Sequence, residues 1–281
     1  MAKESDKPQG KLPAKIIALD LDDTLLDSHQ QISEENVRAL RRAAALGIYV
    51  VLCSGRAEDA ILPFVRRLEI AGTQSGRYII AVNGCSVFDL HERKRIYNKT
   101  VAPEILLHAN KRAKEFGLVT EVYEPDTIHT EEETEWTRLD SDLCHIRLNV
   151  VPDYETFLKQ GFVKMLIPGD PDLLQKLQAV LKSDFGNTAN VFISKPYFLE
   201  ILPPDCGKGE AISWLSDHIG LPPGTTMGFG DSMNDESMIR KCAFGIAMKN
   251  GLQEIKDMAA FVTEKTNDES GVGDFINKYV L

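Results

Sequence analysis

The sequence predicts an α/β fold: a doubly wound parallel sheet with a second, α+β domain inserted into it. Three observations carry the prediction. Short β-branched apolar runs alternate with amphipathic helical stretches at both ends of the chain. Several of those runs stop abruptly at a small polar or acidic residue. In the middle the alternation lapses into helices mixed with hairpin-like segments. At 281 residues the chain is long for one average domain and comfortable for two.

Residues 1–14 form a polar stretch without the apolar centre of a signal peptide, and read as a flexible tail. The first apolar run, Ile16 to Leu19, is closed by Asp20; the second, Ile48 to Cys53, by Ser54; the third, Tyr78 to Val82, by Asn83 and Gly84. Runs of this kind are buried strands of a parallel sheet. Between the first two lies a helix with Ser33 as N-cap, Glu34 and Glu35 in its first turn and Gly47 just past its end. Further strands are expected at Met227–Gly230, Phe244–Met248 and Phe261–Thr263, separated by helices around 235–242 and 252–259. Residues 15–84 and 196–281 therefore make the core.

Residues 85–195 make the insert. Helices are expected at Pro103–Phe116 and Pro171–Phe185, each with proline where the first turn tolerates it and glycine, Gly117 or Gly186, as a stop. Val119–Tyr123 and Val163–Ile167 read as strands. The acidic stretch 131–135 reads as a solvated loop or helix face.

Composition narrows the function classes. Apolar residues make up 43% and charged residues 26%, which excludes general disorder. A net charge of −10 argues against a nucleic-acid binder or a protein of anionic membrane surfaces. It does not argue against an anionic small substrate whose site supplies its own cation. No apolar run approaches the roughly 20 residues of a membrane span. The five cysteines and six histidines are scattered, without zinc or redox spacing. Five reduced thiols and a soluble cytoplasmic protein are expected, as a monomer or weak homo-oligomer.

The chemistry gathers at strand ends, where open α/β sheets bind their ligands. The first strand runs into Asp20-Leu21-Asp22-Asp23, and two acids two residues apart suit a nucleophile and an acid/base. Ser54 offers a hydroxyl beside Gly55, whose bare backbone lets N–H groups approach an anion. Lys208 opens a helix, where its charge opposes the dipole and asks for a bound anion. Gly230-Asp231-Ser232-Met233-Asn234-Asp235 puts two carboxylates four residues apart, on one face if a helix starts there. Hard oxygen ligands of this sort suit Mg²⁺. One site with acids, a metal cluster, a hydroxyl and an ammonium fits phosphoryl transfer through an aspartyl-phosphate.

These stretches resemble the haloacid-dehalogenase superfamily, in particular its Cof-type, class IIB phosphatases. The matching segments are DLDDTLLDS from Asp20, SGR from Ser54, NGC from Asn83, KG from Lys208, GDSMNDESM from Gly230, AMKNG from Ala247 and the closing NDESGV from Asn267. The resemblance implies a Rossmann-like core with an α/β cap inserted after the third strand. It implies Asp20 as nucleophile, Asp22 as general acid/base, and Ser54 and Lys208 as holders of the phosphoryl group. It implies Mg²⁺ on Asp20, the Asp22 carbonyl and Asp231, with Asp235 in support and Asn234 near the phosphate. Asp23 and Lys249 stand where the family often has glycine, and Gly207 where it often has a small polar residue.

Asp22 favours phosphatases and phosphomutases, whose oxygen leaving group needs a proton, over superfamily members without a second acid. The expected function is a Mg²⁺-dependent phosphatase of small phosphorylated metabolites, sugar phosphates foremost, because a cap beside the strand ends would exclude bulk water and large substrates. The alternatives are a phosphomannomutase-like phosphomutase and a catalytically silent phosphate-binding regulator.

Overall fold

The computed structural model describes residues 7–281, so the first six residues of the expected tail lie outside it. The rest of the tail is tied down: Leu12 N donates to the Tyr279 carbonyl at 2.7 Å, and Ala14 is buried. The chain divides into two compact units, one made of the chain up to Gly55 with Ile61–Tyr97 and Gly207–Leu281, the other of Arg56–Ala60 with Asn98–Cys206.

The first unit begins with β1 (Ile16–Leu19), α1 (Glu34–Ala45), β2 (Tyr49–Cys53), α2 (Glu58–Leu68), β3 (Tyr78–Ala81), β4 (Ser86–Asp89) and β5 (Lys94–Asn98). Helix α1 starts where its cap is expected, with Ser33 Oγ accepting from Asn36 N at 3.2 Å. The second unit contains α3 (Pro103–Glu115), β6 (Glu121–Tyr123), β7 (Thr127–Thr130), α4 (Glu135–Cys144), β8 (Arg147–Val150), α5 (Tyr154–Leu158), β9 (Met165–Pro168), α6 (Pro171–Phe185), β10 (Asn190–Lys195) and β11 (Phe198–Leu202). The chain then returns to the first unit with α7 (Lys208–His218), β12 (Thr226–Gly230), α8 (Glu236–Lys241), β13 (Phe244–Ala247), α9 (Gln253–Met258), β14 (Phe261–Val262) and α10 (Gly271–Tyr279).

The strands of the first unit run in the order β14-β13-β12-β1-β2-β3-β4-β5. The six from β14 to β3 are parallel, and β4 turns back antiparallel on β3. Ile16, Ala18, Val51, Cys53, Tyr78 and Ile80 pack one face against Ala211, Ile212 and Leu215 of α7 and Met238 of α8. On the other face α1 packs against α10, and Phe229 of β12 meets Phe275 edge-on at 5.5 Å between ring centroids. Helices on both faces force the strands to be apolar throughout, which is why they read as unbroken runs.

In the second unit the order is β10-β11-β9-β6-β7-β8, antiparallel except for β7 with β8. Val122, Met165, Ile167, Leu199 and Ile201 face a helical layer supplied by Leu106 and Ala109 of α3, Leu158 of α5 and Leu174, Leu177 and Leu181 of α6.

Three expectations change. The insert runs from Asn98 to Cys206, not 85–195, because β4 and β5 extend the first sheet and β11 belongs to the second. A hairpin that continues a sheet carries no sequence signal of which sheet it joins. Residues 56–60 also join the second unit, where Ala57 packs on Tyr123, Ile128, Leu166 and Phe198. The expectation of reduced thiols holds for Cys53, Cys144 and Cys242, but Cys85 and Cys206 are disulfide-bonded. Spacing along the chain cannot show which cysteines come within bonding distance.

Where α7 crosses α8, Gly209 leaves no room for a side chain: a Cβ there would overlap the Ser237 carbonyl and fall 2.9 Å from Met238 N. Gly209→Ala is expected to force the two helices apart and to destabilise the protein by about 1–3 kcal/mol. Denaturant unfolding checks this, and a change within about 0.5 kcal/mol, the range of neutral surface substitutions, would show that the crossing is not tight.

Candidate active site

The site lies in the first unit, at the carboxyl ends of the parallel strands. Asp20 follows β1 directly, and its N donates to the Phe229 carbonyl of β12 at 3.0 Å, so the ladder delivers it to the sheet edge. A wide turn follows, closed by Leu25 N to the Asp20 carbonyl at 3.3 Å and Leu26 N to the Leu21 carbonyl at 2.9 Å. Inside it Asp22 is half-buried with extended backbone, and Asp23 is left-handed at φ 58°. Glycine adopts such a left-handed backbone most readily, and aspartate is among the other residues that tolerate it best.

Lys208 is the first residue of α7 and is fully buried. Its Nζ donates to Asp20 Oδ1 and, at 2.6 Å, to Asp235 Oδ1. Burial alone would lower the ammonium's pKa, but Asp20 and Asp235 outweigh it and raise it. Lysine at this helix start is therefore explained by two carboxylates rather than by an anion alone. The other oxygen of Asp235 accepts from Asp231 N at 2.9 Å and Ser232 N at 3.3 Å.

This corrects the expected geometry of the second acidic pair. Asp231 precedes a tight turn at Met233–Asp235, and α8 begins only at Glu236, so the two acids do not share a helix face. They meet because Asp235 folds back to cap its own loop. Carboxylate oxygens of Asp20, Asp231 and Asp235 lie within 4.8 Å of one another, the separation a single cation would bridge.

The electrostatics show what the cluster lacks. Burial pushes the Asp20 carboxyl well up, and Asp235 and then Asp231 add to the shift against the pull of Lys208. Asp231 is pushed up to about 7, by burial first and Asp235 second, while the Thr24 hydroxyl donating to its Oδ1 at 3.1 Å works the other way. Two buried acids and a half-buried one stand against one ammonium, and hard oxygen donors at this separation fit a divalent cation such as Mg²⁺.

Ser54 and Gly55 follow β2. Ser54 is buried, its N donates to the Ile80 carbonyl at 2.9 Å, and its carbonyl accepts from Asn83 N at 2.9 Å. Asn234 is exposed; its Nδ2 donates to Asn83 Oδ1 at 3.3 Å and its Oδ1 accepts from Ser232 Oγ at 2.7 Å.

Residue-by-residue reading of strand ends misses Thr24, Asn83, Asn250 and Asn267. Asn250 Nδ2 donates to the Asp23 carbonyl at 2.7 Å and its Oδ1 accepts from Asn267 N at 3.0 Å. Asn267 Nδ2 donates to the Leu26 carbonyl at 3.0 Å, completing a clamp on the turn after Asp20. Thr24 is signalled only by its place in DLDDTLLDS, Asn83 by NGC, and Asn250 and Asn267 by the AMKNG and NDESGV segments, none of which assigns them a role.

Six parallel strands carrying a carboxylate–lysine cluster at their carboxyl ends have the arrangement of an α/β enzyme whose acids could hold a cation. The family profile of haloacid dehalogenase-like hydrolases matches residues 17–276. The 5-amino-6-(5-phospho-D-ribitylamino)uracil phosphatase YwtE of Bacillus subtilis is 30% identical over 295 residues, covering 94% of this chain and 97% of that one. The phosphatase YwpJ of the same organism is 29% identical over 292 residues, covering 95% and 100%. A crystal structure of a haloacid dehalogenase-like hydrolase from Bacteroides thetaiotaomicron superposes with a TM-score of 0.85 at 31% identity, over 94% of this chain and 98% of that one. The chain belongs to the haloacid dehalogenase-like hydrolases. Among the described residues no helix is long and apolar enough to cross a membrane.

The raised Asp231 pKa has a consequence for stability. An acid raised from 3.8 to about 7 holds a proton in the folded chain that the unfolded chain has released, so its ionisation costs stability as pH rises through that window. In chelator, Asp231→Asn is expected to melt several degrees above wild type at pH 8, with the gap closing by pH 4. Equal melting temperatures at pH 8 would show that Asp231 carries no uncompensated charge.

Proposed function

We propose that this hydrolase is a Mg²⁺-dependent phosphatase that cleaves small phosphorylated metabolites, sugar and polyol phosphates foremost, through an aspartyl-phosphate on Asp20. The observation that carries the reading is the buried contact of Asp20 with Lys208 beside Asp231 and Asp235. A carboxylate nucleophile needs a fixed direction and relief from charge repulsion, and this cluster supports both. The relatives named as phosphatases support the reaction class. The substrate in YwtE's name is a phosphorylated ribityl compound, which supports the substrate class.

Mg²⁺ held by Asp20, Asp231, the Asp22 carbonyl and, directly or through water, Asp235 would neutralise the phosphate dianion and the acids around it. Asp20 attacks phosphorus, forming its oxygen–phosphorus bond as the ester bond breaks. Asp22, two residues on in the turn, gives its proton to the leaving oxygen. It then takes a proton from the water that attacks the aspartyl-phosphate, and orthophosphate leaves as Asp20 is regenerated. Lys208 keeps its charge throughout and donates to a phosphoryl oxygen, as do the Ser54 hydroxyl and the Gly55 N–H. Asn234 is tied to the Ser54 loop through Asn83, which supports a place for it near the phosphate.

Phosphate release from a panel of sugar phosphates and one activated aryl phosphate tests this reading. Wild type is expected to hydrolyse both with Mg²⁺, to stop in excess chelator, and to recover with Mg²⁺ better than with Ca²⁺. Asp22→Asn is expected to lose about 10²–10⁴-fold on sugar phosphates and much less on the aryl ester, whose leaving group needs no proton. Full activity in chelator would sink the metal assignment, and equal losses on both esters the acid role. A chain that releases phosphate only when primed by a bisphosphorylated sugar would be a mutase.

A further inference from the structure

The turn after β3 holds two adjacent non-glycine residues in left-handed backbone, and it touches the Ser54–Gly55 loop, the Asn234 loop and the start of α7. Val82 and Asn83 are both left-handed, at φ 50° and 52°, and Gly84 follows at φ 92°. A β-branched residue in that region is an outlier that persists only where its surroundings hold it. Asparagine is tolerated there better than most residues, and Gly84 is required twice over: a Cβ at 84 would overlap the Gly207 carbonyl and fall 2.8 Å from Lys208 N.

The Asn83 side chain makes the second set of contacts. It is buried, and its Oδ1 accepts from Asn234 Nδ2 at 3.3 Å. Its amide also lies against the Gly55 backbone: a Cβ at Gly55 would stand 3.0 Å from Asn83 Oδ1 and 3.1 Å from Nδ2, with no other residue among its nearest neighbours. The main chain adds Asn83 N to the Ser54 carbonyl at 2.9 Å. One residue thus joins the Ser54–Gly55 loop to the Asn234 loop, on a turn pressed against the start of the Lys208 helix.

We propose that Asn83 is a positioning residue, which sets the spacing between the Ser54–Gly55 loop and the Asn234 loop so that their donors converge on the transferring phosphoryl group. The inference rests on the phosphatase reading above. It accounts for the strain: a relaxed turn would not bring the Asn83 amide between the two loops while keeping Gly84 on Gly207. It also gives Asn83 no contact with the reacting atoms, so its effect belongs to geometry. Donors misplaced by about 1 Å cost the transition state on the order of 10²-fold, while ground-state binding, which tolerates longer hydrogen bonds, changes little.

The test is Asn83→Gly, which keeps the left-handed backbone and removes only the amide. It is measured beside wild type for melting temperature, kcat and KM on a phosphate monoester that wild type hydrolyses, and for inhibition by orthovanadate and inorganic phosphate. The expected result is a kcat lower by about 10–100-fold with KM within about threefold. Orthovanadate, which mimics the five-coordinate transition state, should lose at least about tenfold in affinity and inorganic phosphate much less. Gly55→Ala supplies a second reading that does not depend on the first variant folding. Its methyl group should displace the Asn83 amide and lower kcat in the wild-type background, with a smaller effect once Asn83 is glycine. A wild-type kcat in folded Asn83→Gly overturns the inference, whether or not its melting temperature falls. A raised KM at unchanged kcat, or a Gly55→Ala variant as active as wild type, overturns it too. If wild type hydrolyses no phosphate monoester, the phosphatase reading fails and this inference with it; if wild type turns over, only the role of Asn83 is at stake.

Discussion

The buried ammonium of Lys208 organises the first unit of this protein. Lys208 stands at the start of α7 with no access to solvent, and its stability there depends on Asp20 from the end of β1 and Asp235 from the loop after β12. Removing one partner of a buried ion pair typically costs about 3–5 kcal/mol, so the three elements are held in a fixed relation. Asp235 extends the constraint by capping the backbone of Asp231 and Ser232. Burial first, and the neighbouring Asp235 second, hold the carboxyls of Asp20 and Asp231 above their ordinary pKa values despite Lys208.

The rest of the first unit serves to bring these loops together without occupying the site. Polar side chains act as staples between segments distant in sequence. Asn36 donates to the Leu25 carbonyl at 3.3 Å and accepts from Gly273 N at 2.8 Å, tying the turn after Asp20 to α1 and α10. Asn250 and Asn267 hold the same turn from the other side. Each satisfies backbone groups that an irregular loop would otherwise leave unpaired, which is the condition for placing such a loop against a packed core.

Much of this was legible in the residues because parallel strands buried on both faces leave unbroken apolar runs. β1, β2 and β3 fall on the runs ending at Asp20, Ser54 and Asn83, and α6 spans Pro171–Phe185 as its proline and glycine indicate. The candidate acids stood out for a related reason: a carboxylate directly after an apolar run is costly at a buried strand end unless a partner charge meets it there. What stayed hidden depends on tertiary placement. Whether β4 and β5 continue the first sheet, which cysteines are oxidised, and how Asp235 reaches Asp231 are all set by contacts outside the local pattern. Asn83 was visible as a letter in a segment, but its left-handed backbone and its link to Asn234 belong to the folded chain.

The central claim is that Asp20 becomes covalently phosphorylated. Rapid acid quench of the Mg²⁺-loaded protein during turnover of a phosphate monoester labelled with ³²P, followed by peptide mapping, tests it most directly. The account predicts label on the peptide containing Asp20, stable in acid, released by hydroxylamine as an acyl phosphate is, and chased by unlabelled substrate. Full turnover with no labelled protein at any quench time, or label that persists when Asp20 is replaced by asparagine, would contradict it.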